Sequence, residues 1–201
     1  MITLSNGAQI YNFGKPNLFI MSGVHGEERS GPMALFNLLK RKKNRLDNIW
    51  ILPVLNVKGY EELNRLCGGI NIQDQFFAES KLDFVNQLVS IIGNNVPFMF
   101  VDLHEDCESE VNYIWSHWDN YTNNPMIEMK VQQYCIKNNY GLTYAPDTPK
   151  MSVGTTETYM RAIGAHSSYT AEVKMYESIN KRVEDQESFI EFFIETAKAY
   201  E

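Results

Sequence analysis

Alternation constrains this chain before anything else. Three apolar runs of strand length, "NLFIMSG" (17–23), "NIWILPVLN" (48–56) and "VPFMFVDLH" (96–104), are separated by segments with helical spacing. A continuous apolar run of this length reads as a strand buried on both faces. "GPMALFNLLKRKK" follows the first run, with Leu35, Leu38 and Leu39 on one helical face, and its basic end, Lys40 to Arg45, suits a helix C-terminus. "SKLDFVNQLVSII" (80–92), with Ser80 as its expected cap, and "PMIEMKVQQYCIKNN" (125–139), with Pro125 near its start, read as further helices. "EVNYIWSHW" (110–118) alternates weakly as a strand, "SSYTAEV" (167–173) is another, and residues 177–200 form a long closing helix. Strands alternating with helices predict an α/β fold: a three-layer α/β/α sandwich on a mixed central sheet, as one domain over 1–201.

In such a sheet reactive groups gather at the carboxyl ends of strands. Three ends stand out, at His25, His104 and Glu172. His25 and Glu28 are three apart in the turn after a strand, with Gly26 between them expected to let the backbone turn tightly. Imidazole nitrogen and carboxylate oxygen are zinc ligands, and catalytic zinc sites commonly take three protein ligands. A His-x-x-Glu pair plus His104 at another strand end satisfies that count. Asp102, two residues before His104, lies on the same side of an extended chain and is placed to bond its second ring nitrogen. Residue types alone leave the alternative open, since a histidine at a strand end also serves as a surface or hydrogen-bonded structural residue.

Composition narrows the classes. A net charge of −7 argues against general binding to nucleic acid or an anionic membrane. Three scattered cysteines make a poor disulfide framework, no apolar run reaches the roughly 18 residues of a membrane span, and the amino terminus lacks the pattern of a secretory leader. The expectation is a cytoplasmic protein. No Gly-x-Ser-x-Gly stretch supports a metal-independent serine hydrolase.

"GVHGEE", "DLH" and "YTAEV", in that order, resemble the zinc carboxypeptidase superfamily, which includes the succinylglutamate desuccinylase and aspartoacylase branch. "LPVLNVKGY" is similar to the family's Asn-Pro-x-Gly segment, and "GTTETYMRAIGAHSSYTAEV" to the stretch leading to its catalytic glutamate, so the resemblance runs from about Asn17 to Val173. It implies a Zn2+ cofactor on His25, Glu28 and His104, Glu172 as general base and then acid, and Arg65 in "ELNRLCGG" as partner of the developing oxyanion. The implied substrate is a peptide or an N-acyl amino acid. The absence of room for the extra β domain of the deacylase branch tilts the expectation towards a peptide.

One segment departs from the family pattern. In "GINIQDQF" (69–76), Asn71 stands where an aspartate supports the first histidine, Gln73 replaces an asparagine, and Asp74 replaces the arginine that grips a substrate carboxylate. Asp74, Gln73 and Asn64 are the expected substrate contacts. An aspartate there repels a carboxylate and favours an amine, if it faces the pocket; a shifted loop would turn it to solvent. A non-catalytic binding module on the same fold is the rival, against which the retained Glu172 speaks. Glu27 and Glu105 adjoin the ligands as solvated or supporting groups, Glu157 either lines the pocket or caps a helix, and His117 and His166 are expected to serve structure.

Overall fold

The computed structural model describes residues 1–42, 46–76, 79–116, 124–144 and 155–200. Its elements in chain order are β1 (Ile2–Thr3), β2 (Gln9–Phe13), β3 (Leu18–Ser22), α1 (Ser30–Lys42), β4 (Ile49–Leu52), α2 (Val57–Glu62), α3 (Asp83–Gly93), β5 (Met99–Asp106), β6 (Tyr113–Ser116), α4 (Pro125–Asn138), β7 (Gly141–Tyr144), α5 (Thr156–Ala162), β8 (Ser167–Lys174) and α6 (Ile179–Lys198). The strands form one eight-stranded sheet in the order β1-β2-β4-β3-β5-β8-β6-β7. The central strands β4, β3, β5 and β8 run parallel, while β2 and β6 pair antiparallel on either flank. This is the expected mixed sheet.

Side chains alternate across a strand, and the core divides accordingly. Leu18 and Ile20 of β3 face a layer holding Leu35 of α1, Val131 of α4 and Phe189 and Phe193 of α6. Phe19 and Met21 face the other, with Phe84 and Leu88 of α3 and Met160 of α5. Every residue of β3 and β4 is buried, which explains why these strands carry no polar alternation. Among the described residues no helix is long and apolar enough to cross a membrane.

Helix ends follow side-chain chemistry. Asn124 caps α4 by accepting from the Met126 N–H with Pro125 in the first turn, and Ser178 caps α6 through the Lys181 N–H. The expectation for Ser80 needs correction, because α3 begins at Asp83 and its flanking residue Leu82 offers no side-chain cap. The Asn86 amide brackets Ser80, accepting from its N–H and donating to its carbonyl, while Ser80 Oγ accepts from the Leu82 N–H. Those bonds hold residues 80–82 as a turn ahead of the helix. Residues 43–45 of the basic cluster, His117 and Gly154 lie outside the described residues.

The topology sets three strand ends side by side. β3, β5 and β8 are consecutive neighbours in the sheet, so the segment after β3, His104 on β5 and Glu172 on β8 converge at one edge.

Candidate metal centre

β3 is followed by Gly23, whose φ of 62° an L side chain rarely adopts. From there the chain turns through His25 to Glu28, whose N–H bonds the His25 carbonyl. Gly26 answers a different need from the one its place in a turn implied. A Cβ built on it would lie 2.1 Å from the carbonyl carbon of Gly59 in α2 and 2.4 Å from the Asn64 carbonyl oxygen. Here glycine supplies space for two backbones to touch. Arg29 reinforces the contact, its guanidinium lying 3.7 Å over the Tyr60 ring and bonding the Tyr60 carbonyl.

His25, Glu28 and His104 meet beneath this contact, at 4%, 2% and 4% exposure. Glu28 lies between the two rings, its Oε1 2.7 Å from His25 Nδ1 and its Oε2 3.0 Å from His104 Nδ1. The ring centroids are 5.1 Å apart. One ligand atom from each residue lies within 4.8 Å of the others, so the three form a group able to hold a metal ion. The far nitrogens have their own neighbours: His25 Nε2 lies 3.3 Å from Asn71 Oδ1, and His104 Nε2 lies 3.2 Å from Asp102 Oδ2.

The charges are strongly coupled. Burial favours the neutral Glu28 carboxyl, but the facing His104 and His25 rings override it and hold the group at about 2. Burial opposes charge on His104, yet the Asp102 and Glu28 carboxylates raise its pKa well above 6.5. Burial also raises Asp102 against the pull of His104. Glu172, paired in register with His104 across the parallel ladder, is pushed up to about 8 by burial, with His104 opposing and Glu28 and Asp106 adding to the rise. Among the described residues, Glu172 Oε2 is shielded from solvent and has no hydrogen-bond partner.

The other expected residues spread around this core. Arg65 is half-exposed and its Nη1 bonds Glu27 Oε1 at 3.0 Å and Glu28 Oε1 at 3.3 Å. Asn64 is exposed and its Oδ1 accepts from the Leu66 N–H. Asn71 donates to Asp74 Oδ2 at 2.8 Å, which ties exposed Asp74 to the residue beside His25. Gln73 reaches inward and donates to both oxygens of Glu157. Glu157 is buried in the first turn of α5 and also accepts from Thr170, whereas the helix cap is Thr155, bonded to the Thr158 N–H. Of the two readings of Glu157, capping is therefore set aside.

Several neighbours escaped the sequence. Thr156 donates to Asp102 Oδ2 at 2.9 Å. Tyr113 on β6 lies opposite Glu172 and donates to Asp106 at 2.8 Å; burial, Glu172 and Asp106 all raise its pKa. Only the weak alternation of "VNYIWS" pointed towards Tyr113, and nothing in it marked the phenol. His166 is exposed and packs on Phe98, at the amino-terminal side of β5 and β8.

No family model matches the sequence, and no curated protein does. Solved structures do resemble it. A candidate metallopeptidase from Shewanella denitrificans OS217 aligns at a TM-score of 0.74 and 19% identity, covering 89% of this chain and 73% of that one. Another, from Shewanella amazonensis SB2B, gives 0.71 and 18%, covering 92% and 77%. The cell shape determinant Csd4 of Helicobacter pylori, bound to a tripeptide, gives 0.76 and 15%, covering 95% of this chain but 55% of Csd4. An mDAP-bound form of Csd4, a D,L-carboxypeptidase, gives 0.76 and 16%, covering 92% and 51%. The fold is thus metallopeptidase-like, and the chain spans about half of Csd4's length.

Proposed function

We propose that this chain is a zinc-dependent hydrolase of amide bonds, acting on a peptide or peptide-like substrate. The observation that carries the reading is the pairing of a buried His25–Glu28–His104 group with Glu172 on the adjacent strand, in register with His104. The donor set fits zinc: two imidazoles and a carboxylate held ionised, with Glu28 oxygens 2.7 and 3.0 Å from the two Nδ1 atoms. Neighbouring ligands on a tetrahedral zinc lie about 3.3 Å apart, so modest adjustment admits the ion. When bound there, zinc would supply Lewis acidity and lower the pKa of a water from 15.7 to about 7.

The remaining steps belong to the protein. Glu172 takes the proton of the attacking water on its free Oε2 and passes it to the leaving nitrogen. A cation at the neighbouring centre pulls Glu172 down from about 8 towards neutrality, where a carboxyl both accepts and releases protons. Arg65, already beside Glu28, offers positive charge to the oxyanion as it forms. Asn71 and Asp102 orient the far nitrogens of His25 and His104. Asp74, Gln73 and Asn64 contact substrate, with Asp74 favouring an amine over a carboxylate. The tripeptide- and mDAP-bound forms of Csd4 favour a peptide over an N-acyl amino acid.

The test is metal content by mass spectrometry, with amide hydrolysis measured in parallel. About one zinc per chain, lost in His104→Ala, together with hydrolysis lost in Glu172→Ala, supports the reading. Absence of zinc binding after addition of the metal would overturn it.

A further inference from the structure

Behind the metal group, on the side away from Arg65, lies a buried charge that the proposed chemistry leaves unused. Glu105 follows His104 on β5, and its side chain has no exposure. Its Oε1 accepts from the Ser30 N–H at 2.5 Å, at the first residue of α1. Its Oε2 pairs with Arg182 of α6. Its own backbone N–H donates to Glu28 Oε2 at 3.2 Å. One turn on from Arg182, Gln186 donates to the His104 carbonyl at 2.8 Å and is fully buried. Residues four apart share a helix face, so α6 presents a guanidinium and an amide together to His104 and Glu105, consecutive residues near the end of β5.

We infer that Arg182 and Glu105, with Gln186, form a positioning clip that fixes the Glu28 carboxylate for metal binding; the inference rests on the metal reading given above. The geometry gives each part a task. The Glu105 side chain holds the start of α1, which fixes the chain directly after Glu28. Its amide holds Glu28 Oε2, which fixes the plane of the carboxylate. Arg182 and Gln186 hold the strand that carries both Glu105 and His104. A buried ion pair contributes little net stability over well-packed apolar side chains. What this pair supplies is direction, because an apolar replacement cannot accept the Ser30 N–H.

That distinction makes the clip testable. The double variant Glu105→Met/Arg182→Met removes both charges at once and leaves neither partner buried alone. Zinc affinity is read by competition with a chelator, folding by near-ultraviolet circular dichroism and thermal midpoint, and ligand geometry by the visible spectrum of the cobalt-substituted protein. The expected result is a folded double variant that binds zinc about 10- to 100-fold more weakly, with an altered cobalt spectrum. Arg182→Lys, which keeps the charge, should fall between wild type and the double variant. Should the double variant not fold, Arg182→Lys alone decides, by weakened or unchanged zinc binding. Wild-type affinity and spectrum in folded variants would overturn the clip while leaving the metal reading intact. Failure of wild type to bind zinc would overturn both.

Discussion

Glu172 on β8 stands on the same rung as His104 on β5, and the two strands stay in parallel register from Met99–Ser167 to Asp106–Lys174. The spacing of the proposed base and the proposed ligand is therefore set by backbone pairing. Glu172→Gln, which keeps shape and removes the base, should lower kcat for amide hydrolysis by about 10²- to 10⁴-fold. Zinc content should stay at the wild-type level. Activity within a few fold of wild type would remove Glu172 from the chemistry.

Zinc binding should release protons, from His104 and in part from Glu172 as the cation draws it down from about 8. Glu28, held at about 2, is already ionised at neutrality, whereas His104 is raised well above 6.5 and must lose its proton to bind. Apparent affinity should therefore rise about tenfold or more per pH unit until the pH passes the pKa of His104. Calorimetry in buffers of different ionisation enthalpy counts the protons, and a pH-independent affinity would contradict the assignment.

The metal-free protein should behave in the opposite sense. Glu28, lowered from 4.5 to about 2, stabilises the fold above pH 4.5 and loses that effect as pH falls towards 2. Glu172, raised from 4.5 to about 8, stabilises fully below 4.5 and progressively less up to 8. His104 contributes fully below 6.5 and loses its contribution as pH rises through its elevated value. These three groups place maximum metal-free stability near pH 4.5, with a decline through neutrality that added zinc should offset. Urea midpoints across pH 4 to 8, with and without zinc, measure it.

Gly26→Ala should cost about 1–3 kcal/mol or more, because its Cβ would fall 2.1 Å from the Gly59 backbone and something must move. Denaturant unfolding would show the loss, and zinc affinity should fall with it. Gly68→Ala, where nothing lies within 4 Å, controls for space although not for its φ of 56°.

Asp74→Arg tests substrate choice. Paired peptides ending in a carboxylate or in an amine should exchange rank in kcat/KM, since arginine binds carboxylate bidentately and aspartate repels it. An unchanged preference would show that Asp74 plays no part in selection.

The central layer was legible because β3, β4 and β5 are written as unbroken apolar runs, and the candidate site because His25 and His104 sit where two of those runs end. β1, β2, β7 and α2 were not anticipated. β2 has a single fully buried residue, Ile10, and α2 spans only Val57–Glu62, so neither leaves a pattern strong enough to read. Other misses are matters of distance along the chain. Gly26 looked like a turn residue because Gly59, which forbids it a side chain, lies in another element. Glu105 was left between solvent and support because Arg182, which buries it, is 77 residues away.

The touching backbones at Gly26 and Gly59 leave no side chain to act as a bearing between the His25–Glu28 turn and α2. Asn56 extends the join, accepting from the Gly59 N–H and donating to the Arg65 carbonyl. The Arg65 backbone and the turn that carries His25 are thereby joined through α2. A substrate reaching the proposed centre would therefore meet the His25 turn and the Arg65 backbone as parts of one joined unit, with the half-exposed Arg65 side chain extending from it.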